Sequence, residues 1–258
     1  MKLFGRTWNA LGDRNAYGAI LTGAAGTLPE WDANAFFDTG RADAAAFLRD
    51  LDEIAPSVKR TAALDFGCGV GRITRSLAAE FESVVGVDAA PTMIARAKAL
   101  NGGLANCAFV LNQEPRLACC ANDSFTVVYS RLVLQHLPPA LAAGYVRELI
   151  RVLAPGGVLM FQLPEPMGSP LKNFLDAPVT GDGLKQRLPR SVIRAYRCLK
   201  YAYLVVTSGP RMKMYGLPYD QVVDLIVHSG GTVLRAVPDQ SHGVPEVRGF
   251  AYWVRKPN

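Results

Sequence analysis

The chain has 258 residues, half of them hydrophobic, with 28 basic and 22 acidic side chains and a net charge of +6. That size and apolar share suffice to bury a full core as one domain with appendages, and no stretch approaches the roughly 18 uninterrupted apolar residues of a membrane span. Five cysteines (Cys68, Cys107, Cys119, Cys120 and Cys198) form no metal spacing, and their odd number argues against a secreted disulfide framework.

The first residues, Met1-Lys2-Leu3-Phe4-Gly5-Arg6, run into Trp, Asn and Asp without an apolar segment, so no signal peptide is expected and a cytoplasmic location is. Residues 1–58 read as a helical lead-in. Its aromatics Trp8, Tyr17, Trp31, Phe36 and Phe37 gather around the phrase from Trp31 to Arg41 and are expected to pack it onto the core. An apolar strand, Thr61-Ala62-Ala63-Leu64, then breaks into Asp65-Phe66-Gly67-Cys68-Gly69-Val70-Gly71, followed by a helix from Arg72 to about Ala79. A second strand, Val84-Val85-Gly86-Val87, ends on Asp88, 21 positions after Gly67. A glycine turn between strand and helix lets the backbone approach a ligand, and a carboxylate at the next strand tip can hold both hydroxyls of a ribose. The pattern is G-x-G-x-G, not the dinucleotide G-x-G-x-x-G, and Arg72 stands where that last glycine would fall. An acid ahead of the glycines suits an ammonium group better than a phosphate.

Pro91 fits the first position of the next helix. A strand follows at Ala108-Phe109-Val110-Leu111, tipped by Asn112 and Gln113. Another runs from Asp123 to Ser130, and Leu153 to Phe161 is broken by Pro155-Gly156-Gly157. Prolines 164, 166, 170, 178 and 189 punctuate an insertion at about 165–217. A helix from about Tyr219 to Ser229 and strands at Gly231–Val237 and Val247–Val254 complete the chain. The loop joining these strands is too short for a helical crossover, so the last strand should lie antiparallel.

These blocks, in this order, resemble the class I, Rossmann-like S-adenosylmethionine-dependent methyltransferases, firmly over about residues 60–165. The resemblance implies an α/β, doubly wound, mostly parallel seven-stranded sheet with an antiparallel last strand. It divides the chain into a cofactor-covering lead-in (1–58) and a methyltransferase domain (59–258). It also implies that Asp65 positions the cofactor's amino group, that Gly67, Cys68 and Gly69 underlie its methionine part, and that Asp88 and Ala89 hold the ribose. Met93, Asn112 and Gln113 would frame the adenine, Asn112 replacing the usual aspartate. Phe37, Gly40 and Arg41 of the lead-in, with Arg72, Ser130 and Arg131, complete the implied cofactor set.

The insertion carries the charge. From Gly183 to Tyr219 there are eight basic residues and no acidic one: Lys185, Arg187, Arg190, Arg194, Arg197, Lys200, Arg211 and Lys213. They read either as a solvated face of a covering helix or as a lid that attracts an anionic or lipid-linked acceptor, with peripheral membrane contact through it. No strong nucleic-acid signal accompanies them.

Methyl transfer to a hydroxyl calls for a base within hydrogen-bond reach, whereas an amine need only be neutral. His136, in the loop after the fourth strand, leads as base over His242, Tyr215 and Glu165; His228 reads as structural. Branches with an Asn/Asp-Pro-Pro-aromatic run or a metal-binding aspartate at strand four are set aside because that position reads Ser130-Arg131-Leu132-Val133, and the branch with a cysteine nucleophile because none of the five cysteines follows Pro or Thr. The expected function is metal-independent methylation of a small molecule, foremost a hydroxyl of a sugar, glycan or secondary metabolite. The alternatives are N-methylation of a small amine and a non-catalytic cofactor-binding partner or sensor. A nicotinamide oxidoreductase is disfavoured by Arg72 and by the absence of a second substrate domain.

Overall fold

The computed structural model describes residues 2–21, 28–166, 189, 191–193, 195–198, 213–241, 243 and 247–258. Most of the basic insertion, including Lys185, Arg187, Arg190, Arg194, Lys200 and Arg211, lies outside the described residues, as does His242.

Two helices lead in, α1 (Lys2–Ile20) and α2 (Ala33–Ile54). Asp32 starts α2 by accepting the Asn34 and Ala35 amides, which would otherwise lack partners in the first turn. Phe36, Phe37, Phe47, Leu48 and Leu51 then form the buried stripe of α2. The remaining elements alternate: β1 (Ala62–Phe66), α3 (Arg72–Leu77), β2 (Ser83–Asp88), α4 (Pro91–Asn101), β3 (Cys107–Leu111), β4 (Phe125–Ser130), α5 (Pro139–Val152) and β5 (Leu153–Pro164). After the insertion come α6 (Tyr219–His228), β6 (Thr232–Pro238) and β7 (Gly249–Arg255).

The seven strands are ordered β3-β2-β1-β4-β5-β7-β6. β7 alone is antiparallel, to both β5 and β6, as the short connection requires. β1 is an interior strand, parallel to β2 and β4 and apolar along nearly its whole length, as a strand covered on both faces must be. One face is covered by α5 and α6, with Tyr145, Leu149, Val222 and Ile226 among the buried side chains. α2 and α3 cover the other through Phe47, Leu51, Ile73 and Leu77. There Phe47 stacks on Trp253 at 5.4 Å and meets Tyr129 edge-on at 4.9 Å.

β5 departs in detail from expectation. Leu153 already pairs with Phe125, the chain bulges at Pro155-Gly156-Gly157, and pairing resumes at Val127–Val158. Gly156 takes a left-handed φ of 74° there. The order of strands reverses direction of growth between β1 and β4. In open α/β sheets this opens a crevice at the carboxyl ends of the strands.

Candidate functional site

A cavity of about 330 Å³ occupies that crevice, lined by residues from the tips of β1, β2, β3 and β4 and from α1 and α2. Its floor is the glycine turn. Gly67 and Gly69 take φ of 81° and 54°, and a Cβ on Gly67 would fall 2.2 Å from Cγ2 of Val133. Only glycine fits a left-handed position pressed this closely against a neighbouring loop. Gly71, at φ 86°, opens α3.

Two carboxylates border this floor. Asp65, 3% exposed, accepts the Thr74 hydroxyl at 2.6 Å, and burial raises its pKa from 3.8 to about 6. Asp88 accepts the Gly69 amide on Oδ2 at 2.9 Å and the Ala90 amide on Oδ1 at 2.8 Å; burial raises its pKa too, against those two bonds. Met93 and Ala89 line the wall beyond Asp88. At the β3 tip the Asn112 amide donates to the Glu114 carbonyl and the Tyr145 hydroxyl, both at 3.4 Å, leaving its oxygen as the accepting end. Tyr145 in turn donates to the Glu114 carbonyl at 2.5 Å.

Across the cavity, β4 runs out into Arg131, Leu132 and Val133 and a short 3₁₀ turn, Leu134–His136. Leu132 is held at φ 61°, a conformation a branched side chain rarely adopts. Arg131 pairs with Asp239 at 3.3 Å, and the Asp239 carboxylate also accepts the Ser241 amide at 2.7 Å. The His136 ring donates from Nδ1 to the Lys213 carbonyl at 3.4 Å, so Nε2 is the basic nitrogen, and the Gln135 amide approaches it at 3.3 Å. Burial lowers the His136 pKa from 6.5 to about 4. Trp8 of α1 stands edge-to-face on this ring at 5.2 Å.

The cavity thus brings together Asp65, Gly67, Cys68, Gly69, Arg72, Asp88, Ala89, Met93, Asn112, Arg131 and His136 of the residues expected from sequence. Cys68 is buried, its thiol pushed up by that burial and by the neighbouring carboxylates. The structure places the others elsewhere. Phe37 is buried between α1 and α3, with Arg75 over its ring at 4.5 Å. Gly40 serves helix packing: a Cβ there would lie 2.5 Å from the Arg72 carbonyl. Arg41 is exposed and pairs with Asp38. Gln113 turns back to donate to the Ala89 carbonyl at 3.3 Å, and Ser130 is buried outside the cavity lining. Glu165 is tied to Arg248 at 2.7 Å, and Tyr215 is held beside the 3₁₀ turn through its amide to the Gln135 carbonyl. Neither of these two lines the cavity. Unforeseen contributors are Trp8, Ile20, Asp43 and Ser241. Arg72 explains Asp43: its guanidinium, 7% exposed, pairs with Asp43 at 2.7 Å and reaches Thr39 at 3.1 Å, tying α3 to α2.

A doubly wound sheet with a three-glycine floor and two desolvated carboxylates defines a protein that binds a cationic nucleoside. Residues 63–157 match the family model described as a methyltransferase domain. Over that stretch the chain carries a methyltransferase domain similar to those of the class I, Rossmann-like S-adenosylmethionine-dependent methyltransferase family. It is 34% identical over 125 residues to a trans-aconitate 2-methyltransferase of Methylobacterium radiotolerans, covering 45% of this chain and 42% of that protein. It is 28% identical over 216 residues to a ubiquinone biosynthesis O-methyltransferase of Hahella chejuensis, covering 77% and 88%. The chain therefore spans less than half the length of the first of these relatives. In fold it is similar to the magnesium protoporphyrin IX methyltransferase of Synechocystis PCC 6803, solved with S-adenosylhomocysteine, with TM-score 0.61 and 15% identity over 98% of both chains.

The residues present fit this family's cofactor. Asp65 is a buried carboxylate short of a cation, which the amino group would supply; Asp88 presents two oxygens already aligned by backbone amides, ready for two hydroxyls. Met93 and Asn112 are placed to frame a base. Among the described residues no helix is long and apolar enough to cross a membrane.

Proposed function

We propose that the protein transfers a methyl group from S-adenosylmethionine to the hydroxyl of a small-molecule acceptor, with His136 as general base. The observation that carries this reading is a neutral imidazole, His136, lining the cavity that also holds Asp65 and Asp88. When bound, S-adenosylmethionine supplies an electrophilic methyl on a sulfonium. The chain's own residues bind, orient and exclude water. Asp65 and Asp88 anchor the two ends of the floor, and the Lys213 carbonyl fixes the tautomer of His136. As the acceptor oxygen becomes an ether, His136 Nε2 takes its proton; a pKa of about 4 keeps that nitrogen unprotonated at neutral pH. Trp8, Leu132, Val133 and Leu137 keep the acceptor side dry, which favours a reaction that disperses charge.

Relatives that carry O-methylation in their names support a hydroxyl over an amine acceptor. Incubation with S-adenosylmethionine and a pool of hydroxylated and amine acceptors, read by mass spectrometry, tests the proposal. A methylated hydroxyl product is expected, and its formation should depend on His136. Methylation of amines alone, or no product while S-adenosylhomocysteine still binds, would overturn it.

A further inference from the structure

We infer that the acceptor half of this cavity is built for a planar aromatic ring carrying the reactive hydroxyl, with Trp8 and Leu132 as its walls. The inference rests on the acceptor reading above and narrows it, away from sugars. Three observations bear on it. Trp8 and His136 meet with ring centroids 5.2 Å apart and planes at 70°. This perpendicular corner is what one flat ring needs to lie against one aromatic face while turning its edge to the other.

Leu132 supplies the second observation. It lines the cavity and sits at φ 61°. A branched residue persists there only when its surroundings hold it, and such strain concentrates at ligand sites. The effect is an apolar wall where a glycine would be the relaxed choice. Val133 and Leu137 beside it extend this wall into an apolar patch of the lining. A sugar, with hydroxyls all around, would set some of them against that patch without partners, each at a cost.

Charge is the third. Arg131, a cation of the lining on this side, is paired with Asp239, whose carboxylate also holds the Ser241 amide. The weak basicity of His136 agrees: a phenol, with a pKa of about 10 as in tyrosine, yields its proton to such a base far more readily than an aliphatic hydroxyl.

Calorimetry on the protein saturated with S-adenosylhomocysteine tests this, with 2-naphthol as probe and its saturated counterpart decahydro-2-naphthol and methyl glucoside as comparisons. The aromatic probe should bind at least about tenfold tighter than either. Leu132→Gly relieves the backbone, so the fold should hold, yet it removes the wall and should weaken 2-naphthol about tenfold or more while sparing S-adenosylhomocysteine. Trp8→Ala should do the same. Equal binding of methyl glucoside and 2-naphthol, or Leu132→Gly binding 2-naphthol as the native protein does, would overturn the inference. If S-adenosylhomocysteine itself failed to bind the native protein, the methyltransferase reading would fall first. If it binds and 2-naphthol does not, the aromatic inference alone is lost.

Discussion

Replacing Asp65 by Asn should make the ligand-free protein more stable and the cofactor complex weaker. The carboxylate is buried at the tip of β1, and desolvation raises its pKa from 3.8 to about 6. A group whose folded pKa lies above its unfolded one favours folding while protonated, and that advantage disappears as pH rises from below 3.8 through 6. At 1.36 kcal/mol per pH unit the interval amounts to about 3 kcal/mol at pH 7, an upper bound on the gain from removing the charge. Asn keeps an oxygen to accept the Thr74 hydroxyl, so packing should survive. For a chain of this size, about 3 kcal/mol corresponds to a rise of roughly 6–12 °C in melting temperature. The same change removes a charge-assisted bond to the cofactor's ammonium, a loss of about 1.5–3 kcal/mol, or roughly 10–100-fold in affinity. Melting curves at pH 4 and pH 7, with calorimetry of S-adenosylhomocysteine at pH 7, read both effects. Native and Asp65→Asn should converge in stability at pH 4 and diverge at pH 7. Equal melting at pH 7, or unchanged affinity in the variant, would refute the assignment of a strained carboxylate awaiting a cation.

Asp88→Ala should weaken S-adenosylhomocysteine at least about tenfold by calorimetry, because it removes two ribose-facing oxygens and frees the Gly69 and Ala90 amides. His136→Asn should lower turnover by about 10²–10⁴-fold with cofactor affinity unchanged. In the native enzyme the turnover attributable to this base should stay level from pH 8 to about 5, falling only as pH drops through about 4, where the imidazole gains its proton. A break near 6.5 in stopped-flow rates would place the base elsewhere. Gly67→Ala should destabilise by about 2 kcal/mol or more in urea unfolding, since it combines a left-handed φ with a contact 2.2 Å from Val133.

The sheet and the cofactor floor were legible in the sequence because their signals are local. Glycines at 67, 69 and 71 need no distant partner to demand positive φ, and Asp65 and Asp88 end strands whose apolar runs mark them as central. The antiparallel β7 followed from loop length alone. What escaped was everything set by contact across the chain. Phe37, Gly40 and Arg41 form a recognisable phrase, yet α2 turns the phenyl ring into the core and spends the glycine on its crossing with α3. Arg72 stands where a dinucleotide site needs a third glycine, and nothing adjacent to it reveals that its partner is Asp43, 29 positions earlier. Trp8 sits in a helix whose amphipathic pattern says that one face is buried but not that it meets His136. Glu165 and Tyr215 lay near the right strand ends. One is held by Arg248; the other is fixed through its backbone.

The two halves of the cavity solve opposite electrostatic problems. On the floor, the fold leaves Asp65 and Asp88 buried with raised pKa values, so much of their desolvation cost is offset only when a cation and hydroxyls arrive. Ligand binding and carboxylate stabilisation are therefore one event, and specificity for a cationic nucleoside over a dinucleotide follows from sign as much as from shape. On the acceptor side, among the described residues of the lining, Arg131 is paired with Asp239 and His136 is neutral by burial. A fixed charge there would hold a counter-charge or water against the reacting centre. With Arg131 paired and His136 neutral, the apolar walls are left to orient the acceptor, and orientation is where a displacement that disperses charge gains most. Placing an unpaired carboxylate on that side, as in Leu132→Asp, should therefore depress turnover more than it depresses cofactor affinity. Parallel measurements of kcat and of S-adenosylhomocysteine binding decide this, and an equal loss in both would mean that the halves are not electrostatically separate.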